Sequence, residues 1–395
     1  MTSRPVVIAA LLLAVVNGLL YATNPLAKVD PELLMGARSW AWWAVQDYKN
    51  IQPDVVVTGS SMVMHPLWHQ EAQYRQQNVE LIVDHRSHFL ESFLEKAAGK
   101  PVKVFNFGLP GGMASDAFIT VRAISQMPQP KPKVAVICLC VRDMMDNSFG
   151  CAATSRHYDL FSRLADTSDV AELAVPKPLD KGRVLLRDAV FLKRKNKEVN
   201  AVLTAQTHEI ANQAYKDLPP SPLDKVSPEK SVKFAFQNDE LEQGFWIAKP
   251  NVPRWYVEAS ADCRKRMRRS NDDVFNNQVA FLDLCLKECK QNGIVPVLVN
   301  MPTSPVMKQV LKPGMYERHM NALTTMAKKW NVALIDANQD IYTAEDFTDW
   351  AHMHATGGEK AFGIIGRSLA ANTVAVKQLS ASSQVATTKE AGHAF

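Results

Sequence analysis

At 395 residues the chain can bury one large core or two smaller ones, and its 47% apolar share is that of a globular protein, which excludes a disordered chain and a multi-span membrane protein. A net charge of +5 over this length is mild, and no aromatic–basic pattern accompanies it, so nucleic acid is not an expected partner. Six cysteines without a CxxC pair do not form the framework of a small disulfide-rich domain. Thiols packed as small apolar groups are expected, with pairing of Cys151 and Cys263 left open.

The first element is PVVIAALLLAVVNGLLYA, residues 5–22, uncharged and preceded by Arg4. Its length sits at the short end for a spanning helix, and Leu20-Tyr21-Ala22 matches a signal-cleavage site poorly. Residues 1–23 therefore read as an uncleaved anchor, with a cleaved signal as the alternative. Arg4 predicts a cytoplasmic N-terminus, with the rest of the chain on the extracytoplasmic side. Residues 24–50 read as a helical neck carrying Trp40, Trp42 and Trp43.

Strand and helix patterns then alternate through 51–372. Strands are expected at 54–58, 102–107, 134–139, 294–300 and 332–336, and helices at 87–98, 115–127, from about 273 to 291, and 315–330. A last helix is expected from Thr356, where TGGE offers a capping box between Thr356 and Glu359. This rhythm predicts an α/β fold, a three-layer parallel sheet with helices on both faces. Residues 151–270 interrupt it with PPSPLDKVSPEK and basic runs, and read as a long insertion forming a lid or substrate platform. The runs LKRKNK and RKRMRR are either solvated helix faces or contacts for anionic lipid or a phosphate-bearing polymer. Residues 373–395 read as a disordered tail.

In a parallel sheet, ligands bind where loops meet at the carboxyl ends of the strands. The first strand delivers Gly59-Ser60-Ser61, which admits three readings: an anion-binding nest, a helix cap, or a nucleophile at the rim of the sheet. Pro66 is expected to keep the following segment from becoming an immediate long helix. The second strand ends in NFGLPGG, the third in CVRDMMDN, and DWAHMH precedes the last helix. Asp349 is three residues from His352, close enough to hold one imidazole nitrogen while the other faces a serine, and the glycine N–H groups at 111 and 112 suit an oxyanion. His65 and His69 read as packing or rim residues. No metal-ligand cluster and no cofactor motif is legible.

With these residues in place the chain resembles the SGNH, or GDSL-type, hydrolases. GSS follows the first strand, N-x-G-x-x-G (Asn106, Gly108, Gly111) the second, and D-x-x-H precedes the last helix, over residues 54–146 and 273–372. The resemblance implies an SGNH/flavodoxin-like fold with Ser61 as nucleophile, His352 as base and Asp349 as orienting acid. It also implies an oxyanion hole from Ser61 and Gly111, and a substrate site including Asn106, Gly112 and Asn147. Arg142 stands where the family's third block carries an asparagine. It either joins the oxyanion hole, binds a charged substrate group, or pairs with Asp143.

The anchor and the altered third block resemble envelope-bound members that work beside membrane O-acyltransferases, in D-alanylation or polysaccharide O-acetylation. The implied activity is that of a serine esterase or O-acyltransferase on a cell-envelope polymer. The alternative is a non-catalytic scaffold that binds a polymer or a partner enzyme.

Overall fold

Five strands, β1 (Val55–Ser60), β2 (Val104–Leu109), β3 (Val134–Leu139), β4 (Val295–Asn300) and β5 (Ala333–Asp336), form one parallel sheet in the order β2-β1-β3-β4-β5. The computed structural model describes residues 4–26, 40–77, 79, 84–195, parts of 199–211, 261–267 and 271–381. Every residue of β1 and β3 is buried, as runs such as VAVICL require of strands covered on both faces. The chain leaves β1 toward β2 on one side and returns to β3 on the other. The strand order therefore reverses at β1, and the carboxyl end of that strand is where ligands bind in sheets of this kind.

The helices, in chain order, are α1 (Arg4–Thr23), α2 (Trp40–Ile51), α3 (Ser61–Arg75), α4 (His88–Ala98), α5 (Ala114–Gln126) and the short α6 (Val141–Met145). Within the insertion come α7 (Arg156–Phe161), α8 (Ala171–Ala174), α9 (Pro178–Ala189) and α10 (Phe191–Arg194), with further helical residues between 199 and 211 and at 261–267. The rest are α11 (Asp272–Gln291), α12 (Pro305–Val310), α13 (Met315–Trp330), α14 (Ala355–Ala371) and α15 (Thr373–Ser380). Local chemistry sets their ends. Ser87 caps α4 by accepting from the Leu90 N–H, and Gly99 ends it at a left-handed φ of 69°. Asn271 caps α11 in the same way. α1 has a mean hydropathy of 2.3 and no buried residue, which makes it apolar enough for a membrane anchor or a signal sequence.

Four expectations need correction. Pro66 does not stop a helix: α3 runs through it for 15 residues. Its loss of a backbone bond is outweighed by packing, since Met62, Val63 and Leu67 are all but fully buried. The last helix is capped by His354, whose Nδ1 accepts from the Thr356 N–H, and not by a Thr356–Glu359 box. The tail after residue 372 is not disordered throughout. Asn372 caps α15, and Ala375 and Leu379, one turn apart, dock on the core; residues 382–395 lie outside the described residues.

Finally, the start of the insertion is no appended lid, because Tyr158, Phe161 and Val170 join the core. Its described residues form helices and no strand, and PPSPLDKVSPEK lies outside them, as does much of the neck. All six cysteines, Cys151 and Cys263 included, are buried free thiols.

Candidate active site

Gly59 ends the apolar part of β1 in a tight place. A Cβ there would lie 2.6 Å from the Cys138 carbonyl oxygen and as close to the Val63 side chain. Glycine therefore lets β1 turn into α3 hard against β3. The two serines that follow divide the work. Ser60 is the cap, its hydroxyl accepting from the Met62 N–H at 3.2 Å. Ser61 opens α3, so its own N–H has no partner within the helix.

The Ser61 hydroxyl lies 2.8 Å from His352 Nε2. On the other side of the ring, His352 Nδ1 is 2.6 Å from Asp349 Oδ2. Asp349 Oδ1 accepts from the N–H groups of Ala351 and His352, each at 2.7 Å. Burial alone would raise this carboxyl, but His352 and those two donors more than offset it and hold Asp349 below its ordinary value. An ionised carboxylate only accepts, so Nδ1 carries the proton and Nε2 presents its lone pair to Ser61. The turn bearing Asp349 and His352 is itself fixed. Thr348 donates to the His352 carbonyl, and the Ser304 hydroxyl, from the loop after β4, donates to the carbonyl of Trp350.

The turn after β2 borders the same place. Gly111 has φ 73°, a conformation that favours glycine. His157, from the insertion, donates from Nε2 to the Pro110 carbonyl at 2.7 Å. Because a trans peptide is planar, fixing that carbonyl fixes the Gly111 N–H in the opposite direction. Gly112 packs against β1, where a Cβ would meet the Leu109 carbonyl at 3.1 Å and that of Gly59 at 3.3 Å. Its N–H is spent on the Leu109 carbonyl.

Arg142 is buried beneath this turn. Its Nη1 donates to the carbonyl of Gly112 (3.0 Å) and to Asp143 (3.1 Å), and its Nη2 to the carbonyl of Gly111 (3.3 Å). Asp146 lies 3.3 Å from Nε. Burial works against this charge, but Asp143 and Asp146 outweigh it and hold the guanidinium above its ordinary value. Of the roles left open for it, pairing with Asp143 is the one in place.

Two expected substrate contacts have other work. Asn106 is buried in β2, where its Oδ1 accepts from the Gly108 N–H and its amide reaches the Met64 carbonyl at 3.5 Å. Asn147 donates from Nδ2 and from its backbone N–H to the Arg266 carbonyl. Ser61, His352, Asp349 and the Gly111–Gly112 turn are brought together; Asn106 and Asn147 instead hold backbone.

Four residues near the site carry little sequence signal. His65, one helical turn beyond Ser61, has its ring 4.7 Å from that of His352. Burial, then the neighbouring His352 and His69, push it well below its ordinary value and keep it neutral. His157, in the short helix α7, is a lone histidine with no motif around it. Gly357 and Gly358 read as part of a cap, yet they are contact points. A Cβ would lie 2.3 Å from the carbonyl oxygens of Asp346 and Pro66 respectively.

A serine hydroxyl bonded to an imidazole, itself oriented by a half-buried carboxylate, can deliver an alkoxide-like nucleophile to an ester carbonyl. Two comparisons bear on the chain. A model of an uncharacterised family matches residues 249–373, a segment that holds Asp349 and His352 but not Ser61. No curated protein matches it.

Proposed function

We propose that this protein is an SGNH-type serine esterase or O-acyltransferase that acts on acyl groups of a cell-envelope polysaccharide or related polymer. In this reading the sheet and its helices form the three-layer SGNH arrangement, α1 anchors the chain, and the catalytic domain faces the extracytoplasmic side. The observation that carries it is the unbroken path from Asp349 through His352 to the Ser61 hydroxyl. Partnership with a membrane O-acyltransferase rests on the resemblance of the anchor and the altered third block.

The mechanism follows from the bonds. His352 Nε2 takes the Ser61 proton as Oγ attacks the ester carbonyl, and Asp349 stabilises the imidazolium that forms. The oxyanion is met by the N–H groups of Ser61 and Gly111, with Arg142 and His157 holding the glycine turn in shape from behind. His352 then returns the proton to the departing alcohol, leaving an acyl ester on Ser61. In the second half His352 deprotonates an incoming hydroxyl, which attacks the acyl carbonyl and frees Ser61. Water as that nucleophile gives hydrolysis, and a sugar hydroxyl gives transfer.

The test is trapping with a fluorophosphonate, mapped by mass spectrometry. A single adduct on Ser61, absent from Ser61→Ala and strongly slowed in His352→Ala, is expected. A native-folded protein that takes up no label, or takes it elsewhere, would overturn the proposal in favour of a binding scaffold.

A further inference from the structure

Asn17 is a costly residue for an apolar helix to carry, because an amide in hydrocarbon lacks water to satisfy it. Its partners lie far along the chain. Asn17 Nδ2 donates to the Ala189 carbonyl at 2.9 Å, and its Oδ1 accepts from the Phe191 N–H at 2.8 Å. These two backbone groups sit at the break between α9 and α10. One is a terminal carbonyl and the other a first-turn N–H, the kinds of group a helix cannot satisfy internally. Each side solves the other's problem. Tyr21 adds an edge-on contact with Phe191, their ring centroids 5.2 Å apart.

This joint fixes a depth. Asn17 lies six residues before the end of α1 at Thr23, about 9 Å along the axis. A helix lying in a bilayer surface sinks its apolar side roughly 5–10 Å into the headgroup–acyl boundary. The two levels coincide. α9 and α10 also leave large apolar side chains uncovered: Leu179 is 69% exposed, Leu186 59% and Leu192 53%. Leu179 and Leu186 are seven apart, two helical turns along one face. Residues 177–195 carry seven Lys or Arg against two Asp.

From this joint we infer that the segment from Pro178 to Arg194 is a second membrane contact. It lies in the outer boundary of the bilayer that α1 spans, with Leu179, Leu186 and Leu192 in the acyl region and a net basic sequence that favours anionic headgroups. The inference rests on reading α1 as an uncleaved anchor. It makes the connection between α1 and the catalytic domain two-point, so that the domain is held at a set tilt to the lipid.

The experiment uses the full-length protein in phosphatidylcholine/phosphatidylglycerol vesicles, with and without bromine on the acyl chains. An environment-sensitive nitrobenzoxadiazole dye is placed on Leu12→Cys, Leu186→Cys or Val374→Cys, one at a time, against the unsubstituted protein, whose six buried thiols set the labelling blank. Emission at positions 12 and 186 is expected to fall about two-fold or more in brominated vesicles, with position 374 unchanged. Quenching at 12 but not at 186 would overturn the inference while leaving the anchor reading standing, and blue-shifted but unquenched emission at 186 would assign that face to protein. No quenching at 12 would overturn both. Omitting phosphatidylglycerol is expected to weaken quenching at 186 alone.

Discussion

The carbonyl oxygen of Pro66 fills the space that a side chain on Gly358 would need: a Cβ there would lie 2.3 Å from it. Helices α3 and α14 thus meet backbone to backbone, with Ser61 five residues before the contact on α3 and His352 six residues before it, in the turn that leads into α14. The approach of these two helices sets the reach from hydroxyl to imidazole.

Gly358→Ala and Gly357→Ala are therefore expected to cost about 1–3 kcal/mol of stability. They should slow fluorophosphonate labelling more than that loss explains, because α14 must move off α3 in Gly358→Ala and off the Asp346 carbonyl in Gly357→Ala. Gly363→Ala is the contrast. A Cβ there meets only the flexible end of Arg367 at 3.4 Å, so this change should be neutral or stabilise the helix by up to about 1 kcal/mol. Urea unfolding and labelling rates on the three variants would check both statements. Equal labelling in all three would show that the close contact does not position the site.

Asp349→Asn should keep the fold and lose the chemistry. An amide can donate to His352 Nδ1, which would move the ring proton to Nε2 and leave nothing to accept from Ser61. A fall in labelling rate on the order of 10³–10⁴-fold is expected at an unfolding midpoint close to that of the parent.

Arg142 and His157 should separate in the same two assays. Arg142→Met leaves Asp143 buried without its cation, while Asp146 keeps Arg266, and removal of one partner from such a buried ion pair costs about 3–5 kcal/mol. His157→Ala removes one bond to the Pro110 carbonyl, so labelling should slow roughly ten-fold for a stability loss of only about 1 kcal/mol. An unchanged labelling rate in His157→Ala would mean that the Gly111 turn holds its shape without the insertion.

The fold should weaken in acid through histidines buried neutral. His319 donates from Nε2 to Asn300 Oδ1 at 3.0 Å, and its Nδ1 has no hydrogen-bond partner. Burial pushes it from 6.5 down to about 3. The unfolded chain takes up a proton near 6.5 that the folded chain refuses until about 3. The stability contributed by the neutral ring is thus complete above 6.5 and drains as pH falls toward 3, by roughly 1.4 kcal/mol per pH unit. His69, also pushed down to about 3, adds to the same slope. Urea midpoints measured between about pH 7 and about pH 5 should show a shallower acid loss in His319→Gln than in the parent.

Much of this architecture was legible because it is periodic. Runs such as VAVICL and the helical face of Phe275, Val279, Leu282, Leu286 and Cys289 state their own geometry, and the strands and helices read from such patterns fall within a few residues of expectation. The D-x-x-H turn and GSS were legible because their positions after strands are set by topology. What local signals missed, tertiary contact decided. Pro66 reads as a breaker until the burial of α3 is counted, and Gly357-Gly358 reads as part of a cap until Pro66 and Asp346 are seen against it. Arg142 reads as an active-site donor until Asp143, Asp146 and two glycine carbonyls are found to occupy it. His157 had no pattern at all, since its partner is a carbonyl 47 residues upstream.

The separation of 291 residues between Ser61 and His352 has a consequence for biogenesis. In the proposed orientation the domain follows α1 across the membrane, and the chain would carry an inert hydroxyl until the imidazole that awakens it arrives 291 residues later. Reactivity would switch on only when α14 seats against α3. The order of the elements would thus act as a timer, keeping ester chemistry silent until the protein has reached its destination.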